Sequence, residues 1–325
     1  MTIAPSRRAW VIGGAAFATA VVLVGSALVA TNPPGDDDGR PYGGQAAPAL
    51  AARTQGSNHG PDPCPAPSGT AAPASGPAAD PRTSPDPGTL RSLAGSLTAA
   101  PADRSAGPYT VIVFRQWAAD MSGNFKKPAT VTEVVEDHVR VIAADGSGYE
   151  TVTRYPAGTS SPSAGTPGAQ TRTEKREPGG FRDGVTPPLS TDPAILASQM
   201  NRVQPWENGP FSGLRAIADT ATSTYLTCPV RAAALDVIAT MGGQDSGPVT
   251  DRAGRPGIAI TVDSGDHAVR DTLIVDARTG VVLAYELNLL RNPGGYRGRF
   301  PRTENYVLFL TSDHRDTTAT PTALP

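Results

Sequence analysis

The feature that most limits what this chain can build is a run of 20 uncharged, mainly apolar residues that opens at Val11 and closes at Ala30. At about 1.5 Å per residue, a helix of that length spans roughly 30 Å, the thickness of a bilayer core. Arg7 and Arg8 precede it, and Asp36, Asp37 and Asp38 follow it. Retention of the arginines in the cytoplasm makes residues 1–10 a cytoplasmic tail, 11–30 a transmembrane helix, and everything later extracytoplasmic. The competing reading is a cleaved export signal, because Ser6-Arg7-Arg8-Ala9-Trp10 loosely resembles a twin-arginine signal and Gly25-Ser26-Ala27 offers small residues for cleavage. Signal cores usually run roughly 7 to 15 residues, so a single-pass anchor in the cell membrane is the preferred reading. No cysteine lies near the end of the run, which excludes a lipoprotein anchor.

Residues 31–88 hold 13 prolines and 9 glycines, with Tyr42 and Leu50 as the only large apolar side chains. Such a segment cannot bury a core, and it reads as a disordered Pro/Gly/Ala-rich tether whose ends lie about 40 to 45 Å apart if flexible. Order is expected from 89 to 312, followed by a disordered tail at 313–325. With 33 prolines and 35 glycines in the whole chain, one compact domain is expected rather than two. A formal net charge of −2 supplies no basic field, so nucleic acid is not an expected partner.

Within the domain, Leu90, Leu93, Ala94 and Leu97 recur at helical spacing before Pro101. Three strands follow: 109–117, 130–142, and the alternation Tyr149, Thr151, Thr153, Tyr155, with Asp145-Gly146-Ser147-Gly148 as a turn. Residues 156–188 contain six prolines and only Phe181 and Val185 for substantial packing, which predicts a long flexible loop. Three helices are expected next. The first opens at Ser190-Thr191-Asp192-Pro193, a capping hydroxyl followed by an acid and a proline in the first turn, and carries Leu196, Met200 and Val203; the second carries Leu214, Ile217, Ala218, Ala221 and Tyr225. The third carries Val230, Ala233, Ala234, Val237, Ile238 and Met241 and stops at Gly242-Gly243. Strands return at Ile258, Ile260 and Val262; at Val269, Asp271, Leu273 and Val275; at Val281, Leu283, Tyr285, Leu287 and Leu289; and at 306–310. Asp271 breaks its series, which would turn the opposite face of that strand inward. The fold class is therefore α+β: a twisted antiparallel sheet with helices packed on one face, analogous to the half-barrel of LolA-type carriers. That analogy would allow a cavity for a lipid chain.

The search for chemistry gives little. Asp251-Arg252-Ala253-Gly254, Asp276-Ala277-Arg278-Thr279-Gly280 and Asp263-Ser264-Gly265-Asp266-His267 have the Asp and Gly of tight turns, and the last lacks the spaced ligands of a calcium loop. Asp245-Ser246-Gly247-Pro248 resembles the nucleophile segment of chymotrypsin-like proteases, but it lacks the second glycine, and neither His59 nor His138 has the surroundings of a catalytic base. The four histidines are scattered, so no metal or cofactor is expected, and the chain reads as a non-enzyme. Cys228 precedes Pro229 at an expected helix start, where it reads as a half-buried thiol rather than a nucleophile. Outside the cytoplasm, Cys64 and Cys228 can instead form a disulfide that pins the tether to the domain. Arg291, Arg297, Arg299 and Arg302 surround Gly294-Gly295 with no acid before Glu304, which marks a basic loop: a solvated loop ahead of the final strand is the preferred reading, and a site for an anionic headgroup, a cell-wall polymer or an acidic protein is the alternative.

Three stretches carry a family resemblance: 189–196 from Leu189-Ser190-Thr191-Asp192-Pro193, Cys228-Pro229-Val230-Arg231 with three alanines after it, and Asp251-Arg252-Ala253-Gly254-Arg255 followed by Leu273-Ile274-Val275-Asp276. Together they resemble an actinobacterial family of uncharacterised membrane-anchored extracytoplasmic proteins, some associated with extracytoplasmic-function sigma factors. The resemblance covers 89–310 and brings no catalytic residues. The anchor, the tether and the absence of a catalytic grouping point to a binding or sensing module; the fold analogy leaves a lipid carrier, and Ser246 and Cys228 leave a cryptic hydrolase, as the alternatives. Members commonly have a longer cytoplasmic segment than residues 1–10, which implies that any signalling here runs through another membrane protein.

Overall fold

The computed structural model describes residue 64 and residues 87–122, 130–159, 162–163, 165–181, 183–292 and 298–318. The expected tail 1–10, membrane helix 11–30 and nearly all of the tether 31–88 lie outside the described residues. Among the described residues, no helix is long and apolar enough to cross a membrane.

Among the described residues, nine strands form one open antiparallel sheet: β1 (Tyr109–Ser122), β2 (Thr130–Ala143), β3 (Gly148–Arg154), β4 (Gln170–Arg176), β5 (Gln244–Thr250), β6 (Pro256–Asp263), β7 (Val269–Val275), β8 (Val282–Leu289) and β9 (Arg302–Arg315). Their order is β4-β3-β2-β1-β9-β8-β7-β6-β5, so two meanders meet where the first and last strands pair. Four described helices accompany them: α1 (Pro87–Ser96), α2 (Pro193–Val203), α3 (Ser212–Ala221) and α4 (Cys228–Thr240).

The helices pack on one face, and side-chain alternation shows which. Ile112 and Phe114 of β1 join α1 to α4 in the main core with Ile260, Val262, Leu273, Val275, Val307 and Phe309. Their neighbours Val111 and Val113 point the other way and pack with Val139 and Val141. Leu90, Met200, Leu214, Ile260 and Leu273 are all nearly solvent-free, each contributing about 1.5 to 3 kcal/mol by burial.

Local chemistry sets the element ends. The α2 cap is the acid Asp192 and not the hydroxyl expected before it: the Asp192 Oδ1 accepts from Ala194 N at 2.8 Å and Ile195 N at 3.0 Å, with Pro193 in the first turn. Ser190 supports that turn by accepting from Asp192 N. In the β5-β6 turn Asp251 Oδ1 accepts from the Ala253 and Arg255 amides, and Gly254 takes the left-handed conformation.

Three expectations need correction, and one stretch weighed for a nucleophile proves to be a strand. The 156–188 segment expected to be one loop contains β4, an edge strand whose Thr171 and Thr173 hydroxyls meet Thr153 and Thr151. The Asp245-Ser246-Gly247-Pro248 stretch lies in β5, the other edge, across a bulge between Asp245 and Gly247. The final strand runs to Arg315, so the first residues assigned to the tail 313–325 pair with β1. Asp271 does face the helices: β7 keeps its register, and the carboxylate is held by Arg215 and Tyr285 instead of being turned away.

Candidate functional site

Three groups of polar side chains lie within the described domain, and their exposure separates scaffold from site. Asp103, just ahead of β1, accepts from Cys228 N at 2.9 Å and Tyr225 Oη at 2.9 Å, and pairs with Arg231 Nη2 at 2.7 Å. Arg231 also donates to Thr279 O in the β7-β8 turn. Burial alone would raise the Asp103 carboxyl, but Arg231 and the other donors together hold it below its ordinary value. This clasp fixes the start of α4 to the sheet. The disulfide joins the same place: Cys228 is bonded to Cys64, with 5.7 Å between their α-carbons. A bonded sulfur is no nucleophile.

The second group lies between α3 and β7-β8. Arg215 Nε donates to Asp271 Oδ1 at 2.8 Å, and the Tyr285 hydroxyl donates to the same carboxylate. Asp219 nearby accepts from Gln204 Nε2 at 2.7 Å, and burial pushes its carboxyl up to about 7.

The third group covers the helix-facing side of β2 and β3. His138 stacks on Phe114 at 4.5 Å; its Nδ1 is 3.1 Å from Glu150 and its Nε2 is 3.5 Å from Glu136. Arg140 and Arg176 hold Glu150, and Arg140 reaches Asp183 at 2.6 Å and Thr222 O at 3.0 Å. Burial works against a charged His138, yet the two carboxylates outweigh it and raise its pKa. His138 is only 5% exposed, so no substrate reaches it; the group fastens the segment before α2 to the sheet. A Cβ at Gly184 in that segment would strike the Thr220 backbone, which is why the approach can be so close.

A shallow, half-open cleft lies elsewhere. Its volume is about 250 Å³, and it is lined by Trp117, Ala118 and Ala119 of β1, Glu133 of β2, Arg299, and Arg302, Thr303 and Glu304 of β9. Trp117 forms a fixed wall: Arg252 lies 4.8 Å from its ring centroid on β5-β6, and Tyr306 meets it edge-on at 5.7 Å. Arg302 Nη2 is 3.3 Å from Glu304 Oε2, while Arg302 Nε and Glu304 Oε2 are buried with no hydrogen-bond partner. Burial raises the Glu304 carboxyl against the opposing pull of Arg302. Asn305, opposite Ala118 in register, bonds Gln116 through Oδ1 and leaves Nδ2 unpartnered. Among the described residues, the buried atoms without a hydrogen-bond partner that belong to cleft-lining side chains are Arg302 Nε and Glu304 Oε2; the others lie on His138, Arg176, Asn305 and Ser312.

The four arginines expected as one basic loop are therefore not one patch. Arg297 lies outside the described residues, Arg291 pairs with Asp266 at 3.0 Å, and Arg299 and Arg302 line the cleft opposite two glutamates. Sequence reading missed Trp117 and Glu133, because only the β1-β2-β9 register brings them to the same end of the sheet. The Ser246 hydroxyl is 2.6 Å from Thr261 Oγ1, a partner that does not activate a nucleophile. Among the described residues no His, Cys, Asp and Glu side chains are grouped to hold a metal ion. Between helices and sheet, a cavity of about 10 Å³ lies among Ile217, Leu226, Leu235 and Val282. Comparison of the chain with protein-family models and with curated proteins finds no match.

Proposed function

We propose that the chain is a membrane-anchored, extracytoplasmic binding module that acts without catalysis, and that the cleft beside β1 and β9 is its ligand site. The apolar run at 11–30 supports the placement. The observation that carries the binding reading is the pair Arg302 Nε and Glu304 Oε2, buried in the cleft wall with no hydrogen-bond partner beyond the 3.3 Å ion pair between the two side chains. Leaving such groups unpaired costs about 1 to 3 kcal/mol each, a cost that a ligand supplying the missing bonds removes. The rigid Trp117 wall and the strand positions of the lining residues suit binding with little rearrangement. A carrier of the LolA type needs a lipid-sized space under the helices. The cavity of about 10 Å³ there is close to the minimum for one water, so the carrier reading gains no support.

The test is hydrogen exchange on the full chain in lipid nanodiscs, incubated in turn with lipid, glycan and small-molecule fractions of the cell envelope. At least one fraction should slow exchange in β1 around 117–119 and in β9 around 302–304, and Ala119→Trp should abolish that protection. If no fraction protects these strands, the reading fails.

A further inference from the structure

We infer that the cleft takes an uncharged, polyhydroxylated ring the size of one sugar residue, as presented by a glycan. The inference rests on the binding reading above and specifies its ligand. It departs from the anionic partner suggested by the basic run around Gly294-Gly295.

Charge is the first argument. Arg299 and Arg302 face Glu133 and Glu304, so the lining has two cations and two anions and no net preference for a charged ligand. A phosphate or carboxylate would gain the arginines but also confront both glutamates; an ammonium would meet the reverse conflict. Hydrogen-bond valence is the second argument. Arg302 Nε can only donate and has no hydrogen-bond partner, and an ionised Glu304 Oε2 can only accept and has only its 3.3 Å ion pair with Arg302 Nη2. Neighbouring hydroxyl groups both donate and accept, so one ligand group type satisfies the two. A carboxylate group brings acceptors alone. Thr303 does not alter this balance, because its hydroxyl lies 2.9 Å from Glu286 Oε1 and 3.0 Å from Asn288 Oδ1.

Shape is the third argument. Drug-sized ligands occupy pockets of roughly 300 to 1,000 Å³, so a cleft of about 250 Å³ suits a single ring or less. Ala118 and Ala119 leave its floor open, and the buried Trp117 closes one side of it. One small ring with few contacts should bind weakly, with a Kd of order mM, unless neighbouring residues of a polymer add contacts.

The experiment is calorimetric titration of the full chain in phosphatidylcholine nanodiscs at pH 7.5. The probes are N-acetylglucosamine, galactose and arabinose as neutral rings, glucuronate as an anionic ring, glucosamine as a cationic ring, and inorganic phosphate. A neutral ring should bind saturably and about 10-fold or more tighter than the charged probes, and Ala119→Trp should remove that binding. Glu133→Arg changes an exposed position, so the chain should fold normally while its preference shifts toward glucuronate. Tighter binding of glucuronate or phosphate by the unaltered chain would overturn the inference, as would neutral-ring binding that survives both variants. If an envelope fraction protects the cleft but no neutral ring binds, the ligand class is wrong and the binding reading stands. If no fraction protects it, the binding reading itself has failed.

Discussion

The two ends of the helix-facing side of the sheet solve the same burial problem differently. Over β6 to β8 this face presents Ile258, Ile260, Val262, Leu273 and Val275, and α1 to α4 cover it. Over β2 to β4 the same face presents His138, Arg140, Glu150, Arg172, Glu174 and Arg176, and ion pairs take the place of a covering helix. Apolar area demands a partner layer, whereas a charged strand face needs only complementary neighbours and water. The helical end should therefore depend on packing and on a few closed polar clasps, and the charged end on a graded network.

The largest effect should come from opening a clasp in the helical end. Arg231→Met leaves Asp103 buried without its cation and should destabilise the fold by about 3 to 5 kcal/mol in denaturant unfolding. Next comes a pH effect confined to the same end. The Asp219 carboxyl, raised to about 7 mainly by burial, faces Asp183, Arg215 and Asp271, with Gln204 as its donor. The folded chain thus holds a proton between about pH 4 and 7 that the unfolded chain releases. Stability contributed by Asp219 falls as pH rises through that window, by on the order of 4 kcal/mol. Asp219→Asn keeps the Gln204 bond and should flatten this slope; an unchanged slope in thermal melts across pH would assign it to another group, such as His138.

At the charged end the effects should be smaller and depend on depth. Glu150→Gln removes the carboxylate shared by His138, Arg140 and Arg176 and should cost about 2 kcal/mol. The His138 pKa, followed by NMR titration, should fall at the same time, since Glu136 alone then opposes burial. Arg172→Ala removes a half-exposed contact with Glu174 at 3.4 Å and should change stability by less than about 0.5 kcal/mol. Equal effects from these two variants would mean that the network is not graded by burial.

The contrast also explains which parts were legible in the sequence. Alternation of Ile258, Ile260 and Val262, or helical spacing of Leu196, Met200 and Val203, follows from burying one face, and those elements fall where expected. β4 and β5 carry no such signal. Both are edges, so Gln170–Arg176 is set by backbone pairing and threonine contacts, while Gln244–Thr250 tolerates Ser246, Gly247 and Pro248 because one side of its backbone has no strand to bond. Asp271 misled for a different reason: a charge within an apolar series looks outward until its partner is known, and Arg215 lies 56 positions away. The cleft was half visible. Arg299 and Arg302 stood out as basic residues, but their balance by Glu133 and their closure by Trp117 depend on strand register, which spacing along the chain does not contain.

The central claim places the folded domain in an oxidising compartment, where the bond between Cys64 and Cys228 persists. The most direct measurement is acid quenching of intact cells followed by mass-tagging of free thiols, with and without prior reduction. The account predicts no tag on either cysteine before reduction and two tags after it. Two tags on the unreduced chain would contradict both the pairing and the placement.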